Sequence, residues 1–356
     1  MKGKSLTVLL FAFALTPTCL AAKEKILRYE VTDLGTLGGV KSVACGLNNR
    51  GEVTGNSSVA AGPEHAFVWR GGVMTDLGIL PGDLASGGFG INNSGQVAGN
   101  SSITSTMNEA PYDVVLWDDG EIIPLGTLGG LYGFATAINE RGQVTGAART
   151  AVDELHAFLW EEDNGMTDLA PGETVSRSRG INNRGQIVGN VGTSGFGDCN
   201  RVDVPQVFPT RAVMWGGDGT ITDLGTLGGI FATAKGINDR GLVVGASSTV
   251  REQIHAFLWQ DGTMTDLGTL GGTYSGAMQI NQRNQVVGFA YTGTGEPNAF
   301  LWTRGRMTDL NRLIPKRSGW ILTTATAINK AGQIAGWGEI GGQTHAFLLT
   351  PERDDD

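Results

Sequence analysis

Four histidines, His65, His156, His255 and His345, are all that the chain contains, and each opens a copy of one His-Ala-Phe run. Imidazoles suggest a metal site. However, four groups at one repeated position lie far apart in a body of this size, and metal ligands must sit roughly 2 Å from a shared ion. A structural histidine at a strand end, hydrogen-bonded to a neighbouring blade, is the expected reading, with the repeated aspartate described next as its natural partner. That aspartate recurs at Asp33, Asp76, Asp168, Asp223, Asp266 and Asp309. A catalytic carboxylate is needed once, whereas a turn is needed in every repeat, so these read as structural too. Chemistry should reside where the repeats differ. Three connections are irregular: Ser101–Tyr112, Asn190–Thr210 and Ala290–Pro297. They offer Glu109 and Tyr112 in the first and Phe196, Asp198, Arg201 and Asp203 in the second. With Asp83 these form the candidate ligand-binding set. Asp83 and Asp198 would be the pair for acid–base work if they sat at a defined separation. No phosphate-binding loop, His-Glu-x-x-His or Cys-x-x-Cys is present, so neither a metal nor a cofactor is expected.

The elements that must hold these residues are repeats. Ile-Asn-x-x-Gly-x-Val-x-Gly recurs with its asparagine at Asn48, Asn92, Asn139, Asn182, Asn238, Asn281 and Asn329, in steps of 43 to 56 residues. Such a period belongs to propeller blades. Each repeat holds four strand-sized pieces: an Ala-x-Gly-Ile-Asn run (A), Gln-Val-Val-Gly (B), the His-Ala-Phe-Leu-Trp run (C) and Met-Thr-Asp-Leu-Gly (D). Asn-x-x-Gly joins A to B because the asparagine amide accepts from backbone two residues on and the glycine takes the positive φ. Small residues in A and B and aromatic ones in C suit sheets that converge on an axis. No stretch after the N-terminus keeps a 3.6-residue period, so helices should be nearly absent. The chain begins with a lone D (Tyr29–Gly35) and ends with A, B and C. The spacing therefore predicts an all-β, seven-bladed propeller of four-stranded blades over residues 26–351, its ring closed when the N-terminal strand pairs in the last blade.

Residues 1–21 read as a signal peptide: Lys2 and Lys4, an apolar stretch from Leu6 to Leu15 too short for a membrane anchor, then small residues before the cut. Cys19 follows Thr16-Pro17-Thr18, a poor lipidation context. Export to the periplasm or the extracellular space makes disulfides feasible. Cys45 and Cys199 fall in distant repeats, so two free thiols are expected. The net charge is −9, and loss of the leader makes the body more acidic. Nucleic-acid binding is disfavoured on that ground. No later segment is apolar enough to span a membrane, and residues 352–356 form an acidic tail.

The recurrent Ile-Asn, His-Ala-Phe and Thr-Asp-Leu motifs, in fixed order over about residues 29–351, resemble the bacterial extracellular HAF-repeat family. Asp113, Arg211 and Asn298 depart from it at the signature histidine. The resemblance implies export and a repeat fold and brings no catalytic residue. The reading that follows is a secreted, non-catalytic protein, monomeric, that binds an extracellular ligand, glycan or protein through its loop-rich face. The alternative is a propeller hydrolase or lyase acting on an extracellular glycan or ester.

Overall fold

The computed structural model describes residues 27–60, 62–105, 111–192, 209–217 and 219–352. Within these the chain forms 28 strands and a single 3-10 turn, Leu310–Arg312. The third repeat shows the pattern. Strand A (Gly129–Ile138) pairs antiparallel with B (Val144–Thr150), B with C (Leu155–Glu161), and C with D (Gly165–Asp168). The same four-stranded meander is built by residues 38–76, 85–124, 176–223, 228–266 and 271–309. The last two of these are joined into one eight-stranded sheet by a single parallel bridge, Ile254 to Tyr274. The seventh meander draws three strands from residues 320–351. Its fourth is the first strand of the chain, Tyr29–Asp33, in register from Tyr29 opposite Pro351 to Asp33 opposite Phe347. No sheet closes on itself through backbone pairing among the described residues.

Two features of the repeat explain why these residues form these strands. The first is a register shift in strand A, between Ala135 and Ala137 in the third repeat and at the same place in every other one. An extra residue there bends the strand and pushes a carbonyl towards strand B. The residue of B that meets it is always glycine. A Cβ at Gly55, Gly146 or Gly189 would lie 1.9, 1.9 and 2.0 Å from the oxygens of Val43, Phe134 and Arg177. The second feature is the aromatic content of strand C. Phe67, Phe158, Phe257, Phe300 and Phe347 are completely buried. Each is worth about 3–5 kcal/mol against alanine. The tryptophan two residues on is less deeply placed: Trp160 and Trp302 are only partly buried.

Neighbouring meanders pack face to face. Core clusters mix residues of successive repeats, and one joins Ala44, Val53, Phe67 and Trp69 of the first to Ala327, Ala335, Ala346 and Leu348 of the last. A serine hydroxyl at the start of A accepts the backbone N–H of the preceding repeat's C strand, as Ser86 does from Ala66 and Ser176 from Ala157, both at 2.9 Å. Ser42 of the first repeat receives Ala346 of the last in the same way, at 2.9 Å.

Candidate functional site

Most of the recurrent polar residues hold the repeats together. In the A–B turn of the fourth repeat the Oδ1 of Asn182 accepts from the backbone N–H of Arg184 and of Gln186, each at 3.0 Å, and Gly185 has φ +77°. The Nδ2 of Asn182 reaches the next repeat and donates to the carbonyl of Asn238 at 3.0 Å. Every turn asparagine donates in this way. Asn48 gives to Asn92, Asn92 to Asn139, Asn139 to Asn182, Asn238 to Asn281, Asn281 to Asn329, and Asn329 back to Asn48, at 3.0–3.3 Å. Sequence reasoning found the turn and missed the bond between repeats.

The histidines are equally local. His65, His156 and His255 each place Nδ1 within 2.7–2.8 Å of a carboxylate oxygen, on Asp76, Asp168 and Asp266, and His345 lies 3.0 Å from Asp33. The repeated aspartate is the partner, as expected, but it sits on the adjacent strand of the same sheet and not in a neighbouring blade, because the start of C faces the end of D. The other carboxylate oxygen of Asp76, Asp168 and Asp266 accepts the backbone N–H two residues on, at 2.7–2.8 Å, closing the turn out of D. No group of three or more metal-ligating side chains occurs among the described residues.

The A strands surround a pocket of about 160 Å³. Its wall is Gly46, Gly90, Gly180, Ala137, Ala327 and a tier of Leu47, Ile91, Ile138, Ile181, Ile237 and Ile328, with Thr136, Thr326, Arg179, Lys235 and Gln279 as polar members. No carboxylate lies among its described lining residues. Cys45 borders this pocket and is disulfide-bonded, which corrects the expectation of a free thiol there. Distance along the chain was a poor guide, since the fold brings residues of every repeat to this axis.

The ends of strands B and D and the starts of C and A lie at one end of each meander, and there the repeats diverge. In the fourth repeat Pro171-Gly172-Glu173 turns the chain into strand A, with Glu173 N–H donating to Ala170 O at 3.1 Å. Arg211 stands at the signature histidine position. Its guanidinium reaches Glu173 at 2.7 Å and Asp223 of strand D at 3.6 Å. In the second repeat Pro81-Gly82-Asp83 makes the same turn, with Asp83 N–H donating to Leu80 O at 3.0 Å. The signature position is Asp113, opposite Ser101, and strand D offers Pro124 where an aspartate recurs elsewhere. Asp83 is 8% exposed, and its Oδ2 is buried without a hydrogen-bond partner. Burial, and then the charge of Asp83, push the Asp113 carboxyl above its ordinary value.

Of the candidate ligand-binding residues, Asp83 and Tyr112 are placed at this end of the second repeat, Tyr112 as the first residue of its C strand, Tyr112–Asp118. Glu109, Phe196, Asp198, Arg201 and Asp203 lie outside the described residues, as do Cys19, Cys199, the leader and residues 353–356. The carboxylate that the structure brings to Asp83 is Asp113, which sequence reasoning treated only as a departure: the turn holding Asp83 is tied to strand B by Leu80 N–H to Ser101 Oγ at 3.0 Å and Leu84 N–H to Ser102 O at 2.8 Å, and Asp113 lies opposite Ser101. The signal was present: an acidic residue after Pro-Gly and another at the histidine position, in one repeat. The irregular connection at Ala290–Pro297 is shorter than expected, because strands Val286–Thr292 and Pro297–Thr303 extend across most of it.

No family model matches the chain, and no curated protein does. Solved structures do. YCF48 bound to D1 peptide matches with TM-score 0.50 and 13% identity, over 92% of this chain and 96% of that one. A lectin from Burkholderia pseudomallei matches with TM-score 0.48 and 10% identity, over 88% and 96%. A gluconolactonase from Xanthomonas campestris matches with TM-score 0.42 and 12% identity, over 93% and 96%. The first likeness establishes the coarse architecture: an all-β, propeller-like assembly of four-stranded antiparallel sheets. Among the described residues no helix is long and apolar enough to cross a membrane.

Proposed function

We propose that this chain is an exported, non-catalytic HAF-repeat protein that binds an extracellular partner through the end of the molecule carrying its irregular loops. The observation that carries the reading is where the repeat is broken. Asparagines, histidines and aspartates at repeated positions are occupied with turns and with neighbouring strands. The departures, Asp83 with Asp113 and Glu173 with Arg211, gather at the loop end; Arg211 still reaches Asp223 of strand D as the histidines reach their aspartates, whereas the Oδ2 of Asp83 has no hydrogen-bond partner. The pocket among the A strands is lined by their last residues, towards the A–B turns, and so lies away from that end and is not part of this site. The disulfide at Cys45 supports export, since such bonds persist in oxidising compartments.

The architecture that goes with this reading is seven four-stranded blades closed into a ring. It is supported by the cycle of asparagine bonds, which returns from Asn329 to Asn48, and by the seat of Tyr29–Asp33 in the last sheet. Closure would leave no unpaired blade face to aggregate.

The test is a thermal-shift screen of glycans, peptides and small molecules, with and without divalent metals, on the protein from residue 22. A second arm uses a variant with residues 190–210 shortened. A binder whose stabilisation is lost on shortening that loop, or on changing Asp83, is the expected result. Turnover of chromogenic glycosides or esters would overturn the non-catalytic reading.

A further inference from the structure

Repeats 2 and 4 provide an internal comparison. Both enter strand A through Pro-Gly-acid, both close that turn with the same backbone bond, and both replace the signature histidine. In repeat 4 the replacement is a guanidinium, and it neutralises the carboxylate of the turn at 2.7 Å. In repeat 2 the replacement is a second carboxylate. Among the described residues neither Asp83 nor Asp113 has an ion-pair partner, and the Oδ2 of Asp83 is buried without a hydrogen bond. Burying a carboxylate oxygen in that condition is costly, and the like charge of the exposed Asp113 beside it adds to the cost.

We propose that the Asp83–Asp113 pair is a recognition site for an arginine side chain presented by a partner peptide or protein, which supplies the guanidinium that Arg211 supplies internally two repeats on. This rests on the loop-end reading above and names its partner chemistry. A guanidinium fits better than a metal ion. Its planar fork bridges two carboxylates, as Arg211 bridges Glu173 and Asp223. A calcium-class ion would require six to eight oxygen ligands, whereas no cluster of three acidic or metal-ligating side chains is present among the described residues. The upward push on the Asp113 carboxyl, caused by burial and by Asp83, is what an uncompensated pair produces and what a bound cation would reverse.

The experiment uses the whole mature chain and four probes: N-acetyl-arginine amide, its citrulline counterpart, free arginine, and an Arg-containing tetrapeptide. Binding is followed by NMR titration. The blocked arginine and the tetrapeptide should bind, citrulline should bind at least about tenfold more weakly, and Asp83→Asn should weaken the arginine probes at least about fivefold. A tetrapeptide tighter than free arginine marks a peptide partner, and the reverse order overturns that source. Asp113→Arg should install the internal pair, abolish probe binding and raise Tm by about 1–3 °C. Equal binding of arginine and citrulline, or no effect of either substitution, overturns the proposal. So does calcium stabilising the wild type but not Asp83→Asn while arginine does nothing. If the broader screen yields a ligand indifferent to Asp83→Asn, the loop-end reading survives and only this assignment falls.

Discussion

A turn asparagine such as Asn182 spends both ends of its amide, and the two ends do different work. Its oxygen shapes the turn through Arg184 and Gln186, and its nitrogen ties the turn to Asn238 in the next repeat. Asn182→Asp keeps the acceptor and deletes the donor, leaving the Asn238 carbonyl buried and facing a carboxylate. It should cost about 1–3 kcal/mol in urea unfolding, close to the cost of Asn182→Ala. An aspartate variant as stable as wild type would show that the inter-repeat bond has no weight. The acceptor role was legible in Asn-x-x-Gly. The donor role was not, because nothing in one repeat says what lies across from it, although seven asparagines without one aspartate at a position where a turn tolerates either was a usable sign. Asp113 gives a second test. Its carboxyl is held above the ordinary value in the folded state by burial and by Asp83, so the native protein binds more protons there than the unfolded chain. Stability should fall as pH rises from the ordinary carboxylate value through the raised one. Asp113→Asn should remove that slope and should melt above wild type at pH 7, the two converging in acid, as followed by Tm against pH.

At the scale of the strand, the constraint is the contact between the kinked A strand and the glycine of B. A methyl group at Gly189 would sit 2.0 Å from the Arg177 oxygen, and backbone is met there, not the movable end of a side chain. Gly189→Ala should cost about 3 kcal/mol or more, by forcing strands A and B of the sheet apart. Gly172→Ala is the control: nothing lies within 4 Å of its added carbon. It should be neutral or slightly stabilising, through loss of freedom in the unfolded chain. Equal destabilisation by the two would remove the close approach as the reason for glycine in B. The order of A, B, C and D within each sheet was readable from turn chemistry and alternation. The register shift in A was not, because its cause is the curvature the sheet needs and no residue type marks it. The connection near residues 290–297 misled for a related reason. Thr292, Gly293 and Thr294 look like a loop in sequence, yet Thr292 completes a strand whose partner is Gly271.

Across the whole molecule, the first strand and the last sheet depend on one another. Tyr29 is fully buried in the cluster of Leu310, Trp320, Leu322, Phe347 and Leu349, so that the earliest described residues complete the latest core. The backbone agrees: Tyr29 N–H donates to Leu313 O and Glu352 N–H to Arg28 O, at 2.9 and 3.0 Å. A fragment beginning at Val40 loses this strand, exposes the edge of Gln343–Pro351 and opens the cavity that Tyr29 fills. An aromatic deletion of this kind costs about 3–5 kcal/mol, and an open strand edge is a template for another chain. The fragment should therefore melt several degrees below the chain from residue 22 and self-associate in sedimentation. A synthetic peptide of residues 27–39 should rescue both properties when added in trans. The rescue separates the two explanations for a low melting point. A fragment merely destabilised by a missing side chain stays monomeric and ignores the peptide, whereas one missing a strand recovers its edge, its core and its sedimentation coefficient together.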